Sequence, residues 1–310
     1  MKILITIPHY YKYQPGNTYG SSAEKRESRV KVLRDMLVSL RGNFSLPHSI
    51  GKQEYEDRYG TPVYVNYETA DLMHKYEIDI CICTTEEDHL IHELNLPYDF
   101  FQWKIFSIGD PRYLGFACHQ VLKDNKGKYD YYAFMEDDLI IHDLFFFQKL
   151  QWFENTFGSE CLLQPYRYQM NATPFYKEYI DPRMANYIEY FIDFSQYDKC
   201  ELKCDFLGRE LRFQPSRNPH SGCFFVSAKQ YDIMSSRTDY AIPTDAFCGP
   251  MECAASWDIM HSFTIYQPNL QQGSFFEIEH VGKKPPRAPR SRVKEEFFES
   301  YIGKYGFQIM

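Results

Sequence analysis

Three short apolar runs, Ile3 to Pro8, Ile78 to Thr84 and Tyr131 to Met135, constrain this fold most. Each is too short for a helix and too continuous for a half-exposed strand, so each reads as a buried strand of a parallel sheet. A helical pattern separates the first two: Val30, Leu33, Leu37 and Leu40 recur at helical spacing. Ser21 and Glu24 offer a capping box before it, and Gly42 is placed to end it at C′. Lys104 to Ile108 reads as a further strand, and Tyr113 to Lys126 as a helix stopped by Gly127. This alternation predicts an α/β fold with a doubly wound, mostly parallel central sheet and ligands at the C-terminal ends of its strands.

The second half is less regular. Cys161 to Met170, Gly222 to Ser227 and Phe275 to Val281 read as strands, and Glu252 to Phe263 as a helix. Residues 171–215, with Tyr176, Tyr179, Tyr187, Tyr190 and Tyr197, read as a partly helical insert over a cleft. Lys283 to Lys294 holds six basic residues and three prolines without an acid, which suits a linker or lid, and a short helix is expected around Glu295 to Tyr301.

With 34 basic against 42 acidic residues, the net charge of −8 argues against a nucleic-acid partner, because phosphate contacts need a basic field. The 26 Tyr and 25 Phe suit a sugar cleft, and equally a Tyr/Phe-rich core. The nine Cys are scattered; Cys200 and Cys204 come nearest to a motif, but no second pair completes a zinc site. Cys81 and Cys83 alternate along an expected strand as buried thiols. The opening apolar run is too short for a secretion signal, and no run reaches the roughly 20 residues of a membrane span. A cytoplasmic, reduced protein is expected.

The run Tyr131 to Met135 ends in Glu136, Asp137 and Asp138. Three adjacent carboxylates are costly to crowd unless a positive charge neutralises them, and a hard divalent cation such as Mn²⁺ or Mg²⁺ is the natural partner. An acidic turn capping the next helix is the plainer alternative.

With that strand context, the chain resembles the GT-A class of nucleotide-sugar glycosyltransferases, in which a strand ends in a D-x-D-type motif. The resemblance implies one domain over 1–282, with a nucleotide-binding half at 1–140, a smaller acceptor half at 141–282, and a linker or lid with a C-terminal helix at 283–310. It implies Asp138 on the metal and Glu136, a Glu in place of the usual Asp, near the ribose or the metal's water. Asp137 joins the nucleotide-sugar set. Pro8, His9 and Tyr10 after the first strand, with Thr84 at the end of the second, would line the nucleoside pocket. Gly115 would let the start of its helix approach the donor, although the class's usual Arg-Asn pair is absent. Ser221 or His220 would bond a sugar hydroxyl, and Lys283 would meet the diphosphate. His280 matches a late metal ligand. Glu252 matches the general base of inverting members, with Asp245 and Asp258 as competitors.

The resemblance thus implies an inverting transfer from a nucleotide-diphosphate sugar, a UDP-sugar first, to a glycan or glycoconjugate hydroxyl in polysaccharide or glycoconjugate biosynthesis. The basic stretch from Lys283 would favour peripheral contact with the inner membrane surface. A retaining transferase would use the same metal site. A carbohydrate-binding protein on the same fold is the non-catalytic alternative. A nucleotidyltransferase wants a Gly-rich phosphate loop after the first strand, where His9-Tyr10-Tyr11-Lys12 stands instead.

Overall fold

The first strand, β1 (Lys2–His9), carries Ile3, Ile5 and Ile7 on one face and Leu4 on the other, all buried, so the sheet it belongs to must be covered on both sides. The structure, a computed structural model, describes residues 1–16, 26–45, 49–69, 76–97, 99–172, 175–180, 201–216 and 218–281. After β1 come α1 (Arg26–Phe44), the hairpin of β2 (Ser49–Glu56) and β3 (Pro62–Thr69), then β4 (Glu77–Thr84) and β5 (Gln102–Ile105). Next are α2 (Leu114–Asp124), β6 (Tyr131–Met135), β7 (Leu139–Ile140), α3 (Phe146–Phe157), β8 (Cys161–Leu163), β9 (Tyr166–Ala172) and β10 (Phe175–Tyr179). The described chain closes with β11 (Leu202–Phe206), β12 (Arg209–Pro215), β13 (Cys223–Ser227), α4 (Ala228–Ser235), α5 (Pro250–Met260), β14 (Thr264–Pro268) and β15 (Glu277–His280).

The central five-stranded sheet has the order β13-β6-β1-β4-β5. Its strands run parallel except β13, which pairs antiparallel with β6. α1 and α3 pack with Ile3, Ile5 and Ile7 in one apolar core, while α2, α4 and α5 pack with Leu4, Tyr132 and Phe134 in another. Both faces are therefore covered, as a doubly wound sheet requires. Two smaller sheets, β10-β9-β15-β7 and β11-β12-β14-β8, extend the second half.

Several expectations are corrected. Gly42 does not end α1, which continues to Phe44, because Phe44 is buried in the core. The expected strand from Cys161 to Met170 is two strands in different sheets. They part at Pro165, which has no N–H for a ladder, while Gln164 and Tyr166 donate to Tyr266 and Phe276. Within 171–215 the described residues form strands and their turns, and the rest of the expected partly helical insert lies outside the described residues. Ser21, Glu24, Tyr187, Tyr190, Tyr197, Cys200 and everything from 282 onward, Lys283 included, lie outside the described residues. The eight described cysteines are free thiols, with Cys81 and Cys83 buried as expected. Among the described residues, no helix is long and apolar enough to cross a membrane.

Candidate active site

The strand order places the site. The chain adds β4 and β5 on one side of β1, then returns to lay β6 on the other. Such a reversal opens a crevice at the C-terminal ends of the two diverging strands, the usual ligand position in an open α/β sheet. Here those ends are His9 on β1 and the Glu136-Asp137-Asp138 triplet after β6. The triplet also joins two sheets, since β7 pairs with β15 and sets Leu139 opposite His280. Its backbone is clamped at both ends: the Glu136 N–H donates to Gly222 O at 2.8 Å, and the Val281 N–H to Asp138 O at 2.9 Å.

The three carboxylates have different surroundings. Asp137 is held by protein. Its Oδ1 accepts from Arg29 Nη2 at 2.6 Å, and its Oδ2 from His9 Nδ1 at 2.5 Å. The Leu90 N–H donates to His9 Nε2, so the imidazole proton sits on Nδ1 and points at Asp137. Burial alone would raise the Asp137 pKa, but the Arg29 charge and the His9 hydrogen bond outweigh it and hold the carboxyl well below the usual range. Both oxygens of Asp137, expected in the nucleotide-sugar set, thus have partners within the protein.

Glu136 lies between two basic side chains. Arg167 Nη1 is 3.6 Å from its Oε2, and His220 Nε2 is 3.9 Å from its Oε1. Gly222 makes room for it. A Cβ there would collide with Glu136 Oε2 and lie 3.1 Å from Arg167 Nη1, and its φ of +63° also favours glycine.

Asp138 is the one with a vacant acceptor. Its Oδ1 is shielded from solvent and has no hydrogen-bond partner among the described residues. Its Oδ2 is 3.5 Å from His280 Nε2 and 3.8 Å from Arg29 Nη1. The Nδ1 of His280 meets the side-chain amide of Gln169 at 3.0 Å. It is Gln169 Nε2 that faces Nδ1, so the amide donates to Nδ1 and the imidazole proton sits on Nε2. The Nε2 lone pair is left for a metal only with the amide turned over, so that its carbonyl accepts from Nδ1.

The remaining expected residues divide. Pro8 is half-buried, and the Tyr10 hydroxyl donates to Asp88 at 3.3 Å. Thr84 is fully buried and accepts from Trp103 Nε1 at 2.8 Å. Ser221 is fully buried and donates to Pro165 O at 2.9 Å. Both hydroxyls serve the core rather than a cleft. The lack of a side chain at Gly115 answers to helix packing: a Cβ there would overlap Ala254 Cβ on α5.

Glu252 lies in the first turn of α5, half-buried, with no hydrogen bond to its carboxylate among the described residues. One turn further along the same face, Ser256 Oγ is 3.2 Å from His220 Nδ1, and His220 leads to Glu136. Asp245 is exposed in the preceding loop. Asp258 is buried in the core, where its Oδ2 accepts from the Ala241 N–H and lies 3.5 Å from His119 Nδ1. An acceptor hydroxyl does not reach it there.

Burial pushes the Asp258 carboxyl above its ordinary 3.8, against the opposing pull of His119 and the Ala241 hydrogen bond. A carboxyl raised in the folded state stabilises the fold below its ordinary pKa and loses that contribution as the pH rises through the raised value. Asp258→Asn keeps the hydrogen-bonding shape without a charge to desolvate. Its stability relative to wild type should therefore improve from about pH 3.5 to about pH 7, read as urea midpoints. A deficit that is constant across that range would contradict this role of Asp258.

Sequence reasoning passed over Arg29, Arg167 and Gln169. A signal for Arg29 was present, because it sits four residues before Leu33 on the apolar stripe of α1, a core position where a cation is out of place.

No protein-family model and no curated protein matches the chain. Among solved structures, it is similar to the crystal structure of S. aureus TarS 1-349 in complex with UDP-GlcNAc, at 10% identity and a TM-score of 0.41. The match covers 91% of this chain and 59% of that one, so the chain spans less than two thirds of its length. At that TM-score the likeness adds nothing to what the residues establish.

No group of three or more His, Cys, Asp or Glu side chains encloses a metal position among the described residues. Asp138 Oδ2 and His280 Nε2 are two donor atoms 3.5 Å apart, which do not make a ligand set on their own. A vacant, shielded carboxylate oxygen beside an imidazole fits a divalent cation whose other positions go to waters and to oxygens of a phosphorylated ligand.

Proposed function

We propose that this chain is a glycosyltransferase that moves a sugar from a nucleoside-diphosphate donor to an acceptor hydroxyl. The observation that carries the reading is the vacant Oδ1 of Asp138 beside His280, at the crevice where the strand order reverses. Asp138 and His280 would hold a Mn²⁺ or Mg²⁺ ion, which when bound supplies Lewis-acid stabilisation of the departing diphosphate.

The chain's own residues supply the rest. Glu136, flanked by Arg167 and His220, is fixed in direction for a ribose hydroxyl. Glu252, on the α5 face that also carries Ser256, takes the proton of the acceptor hydroxyl. The acceptor oxygen then bonds to the anomeric carbon as the bond from that carbon to the diphosphate breaks. Attack opposite the leaving group inverts the anomeric configuration. Holding donor and acceptor in register contributes much of the rate.

A panel of nucleotide-sugars assayed with and without Mn²⁺ tests this. Metal-dependent transfer or hydrolysis of one donor class, a UDP-sugar first, is the expected result. Tight glycan binding without turnover of any donor would make the chain a binding protein. Retention of configuration in the product would remove Glu252 as the base.

A further inference from the structure

Arg29 is 2% exposed, at the N-terminal end of the buried stripe of α1 that continues through Leu33, Met36, Leu37 and Leu40. Burying a guanidinium is costly unless it is well paired. Helix packing alone would be better served by an apolar residue at this position.

The pairing is specific. Arg29 Nη2 takes Asp137 Oδ1 at 2.6 Å, and Nη1 lies 3.8 Å from Asp138 Oδ2. His9, its tautomer set by the Leu90 N–H, takes the other Asp137 oxygen. Asp137 is thereby held on both sides, and Arg29 is held by Asp137. The polar neighbours of Asp138, Arg29 Nη1 and His280 Nε2, both gather on Oδ2, which leaves Oδ1 as the vacant acceptor.

We propose that Arg29, His9 and Asp137 form a buried brace that positions Asp138, with Arg29 selecting which carboxylate oxygen is presented to the cation and its nucleoside diphosphate. This rests on the proposed role of Asp138 as a metal ligand. Arg29 and Asp137 are positioning residues, which touch neither donor nor acceptor.

A brace and a simple charge effect predict different signs. If Arg29 acted only through its field, removing its charge would tighten Mn²⁺ binding, and removing the Asp137 charge would weaken it. If it acts as a brace, both Arg29→Gln and Asp137→Asn weaken Mn²⁺ binding, by about 10- to 100-fold, the range for loss of an outer-shell partner. Arg29→Lys, which keeps the charge but not the planar fork, recovers only part of the loss.

The experiment titrates Mn²⁺ into the full chain and its variants, alone and with UDP or GDP, read by the electron paramagnetic resonance signal of free Mn²⁺. Folding is checked by circular dichroism. Weakening in folded Arg29→Gln, with wild type binding, supports the brace; if Arg29→Gln fails to fold, Arg29→Lys decides, because it keeps the charge, so weaker binding there supports the brace and wild-type binding overturns it. Unchanged or tighter binding in folded Arg29→Gln overturns the brace while leaving the metal site standing. Absence of Mn²⁺ binding to wild type with either nucleotide overturns both.

Discussion

Asp138→Asn is expected to lower transfer by about 10³-fold, because losing several kcal/mol of charge stabilisation at the leaving diphosphate is worth that much in rate. The substitution keeps the shape of the side chain and its Oδ1, so the fold should survive. Thermal melts should confirm this, since the only described neighbours of the carboxylate are Arg29 and His280, at 3.8 and 3.5 Å. The change is one of charge. Arg29 Nη1 and His280 would then face a neutral amide, and a cation would lose its anionic ligand. Added Mn²⁺ should recover little of the activity. A variant that keeps full, metal-dependent transfer would place the metal elsewhere.

Glu252→Gln should behave differently. A general base contributes about 10²- to 10⁴-fold, and a glutamine cannot take the proton. The loss should fall on kcat, with the KM for the nucleotide-sugar near wild type, because Glu252 stands on α5 and makes no described contact with the triplet. The Asp138 variant should instead lose donor binding as well. Steady-state kinetics on both donor and acceptor separate the two. An unchanged kcat in Glu252→Gln would move the base to another residue. Asp245, exposed in the loop before α5, would then be the next to test, since Asp258 is buried away from solvent.

Much of the central sheet was legible because burial on both faces writes itself as continuous apolar runs. β1, β4 and β6 match the expected strands within about a residue at either end. The triplet was legible for the same reason, since three acids directly after such a run stand out. The different fate of each acid could not be read. Asp137 turns to Arg29 and His9, which are 108 and 128 residues away in sequence. Contacts of that range leave no local pattern.

Thr84 and Ser221 show the opposite failure. Their positions at a strand end and before a strand were right for a cleft, but Trp103 and Pro165 capture their hydroxyls in the core. α3 was missed although Phe146, Phe147, Leu150 and Phe153 recur at helical spacing and form its buried face. α4 was missed because its eight residues give little periodic signal, even though Ser227 and Gln230 close a capping box at its start. Proline decided one element outright, since Pro165 splits what reads as a single strand.

The most direct measurement is calorimetric binding of UDP, then GDP, to the full chain with and without Mn²⁺, repeated on Asp138→Asn. The proposed function predicts one saturable site that requires Mn²⁺ and is lost in Asp138→Asn. Nucleotide binding of equal strength without metal, or binding unaffected by Asp138→Asn, would contradict it.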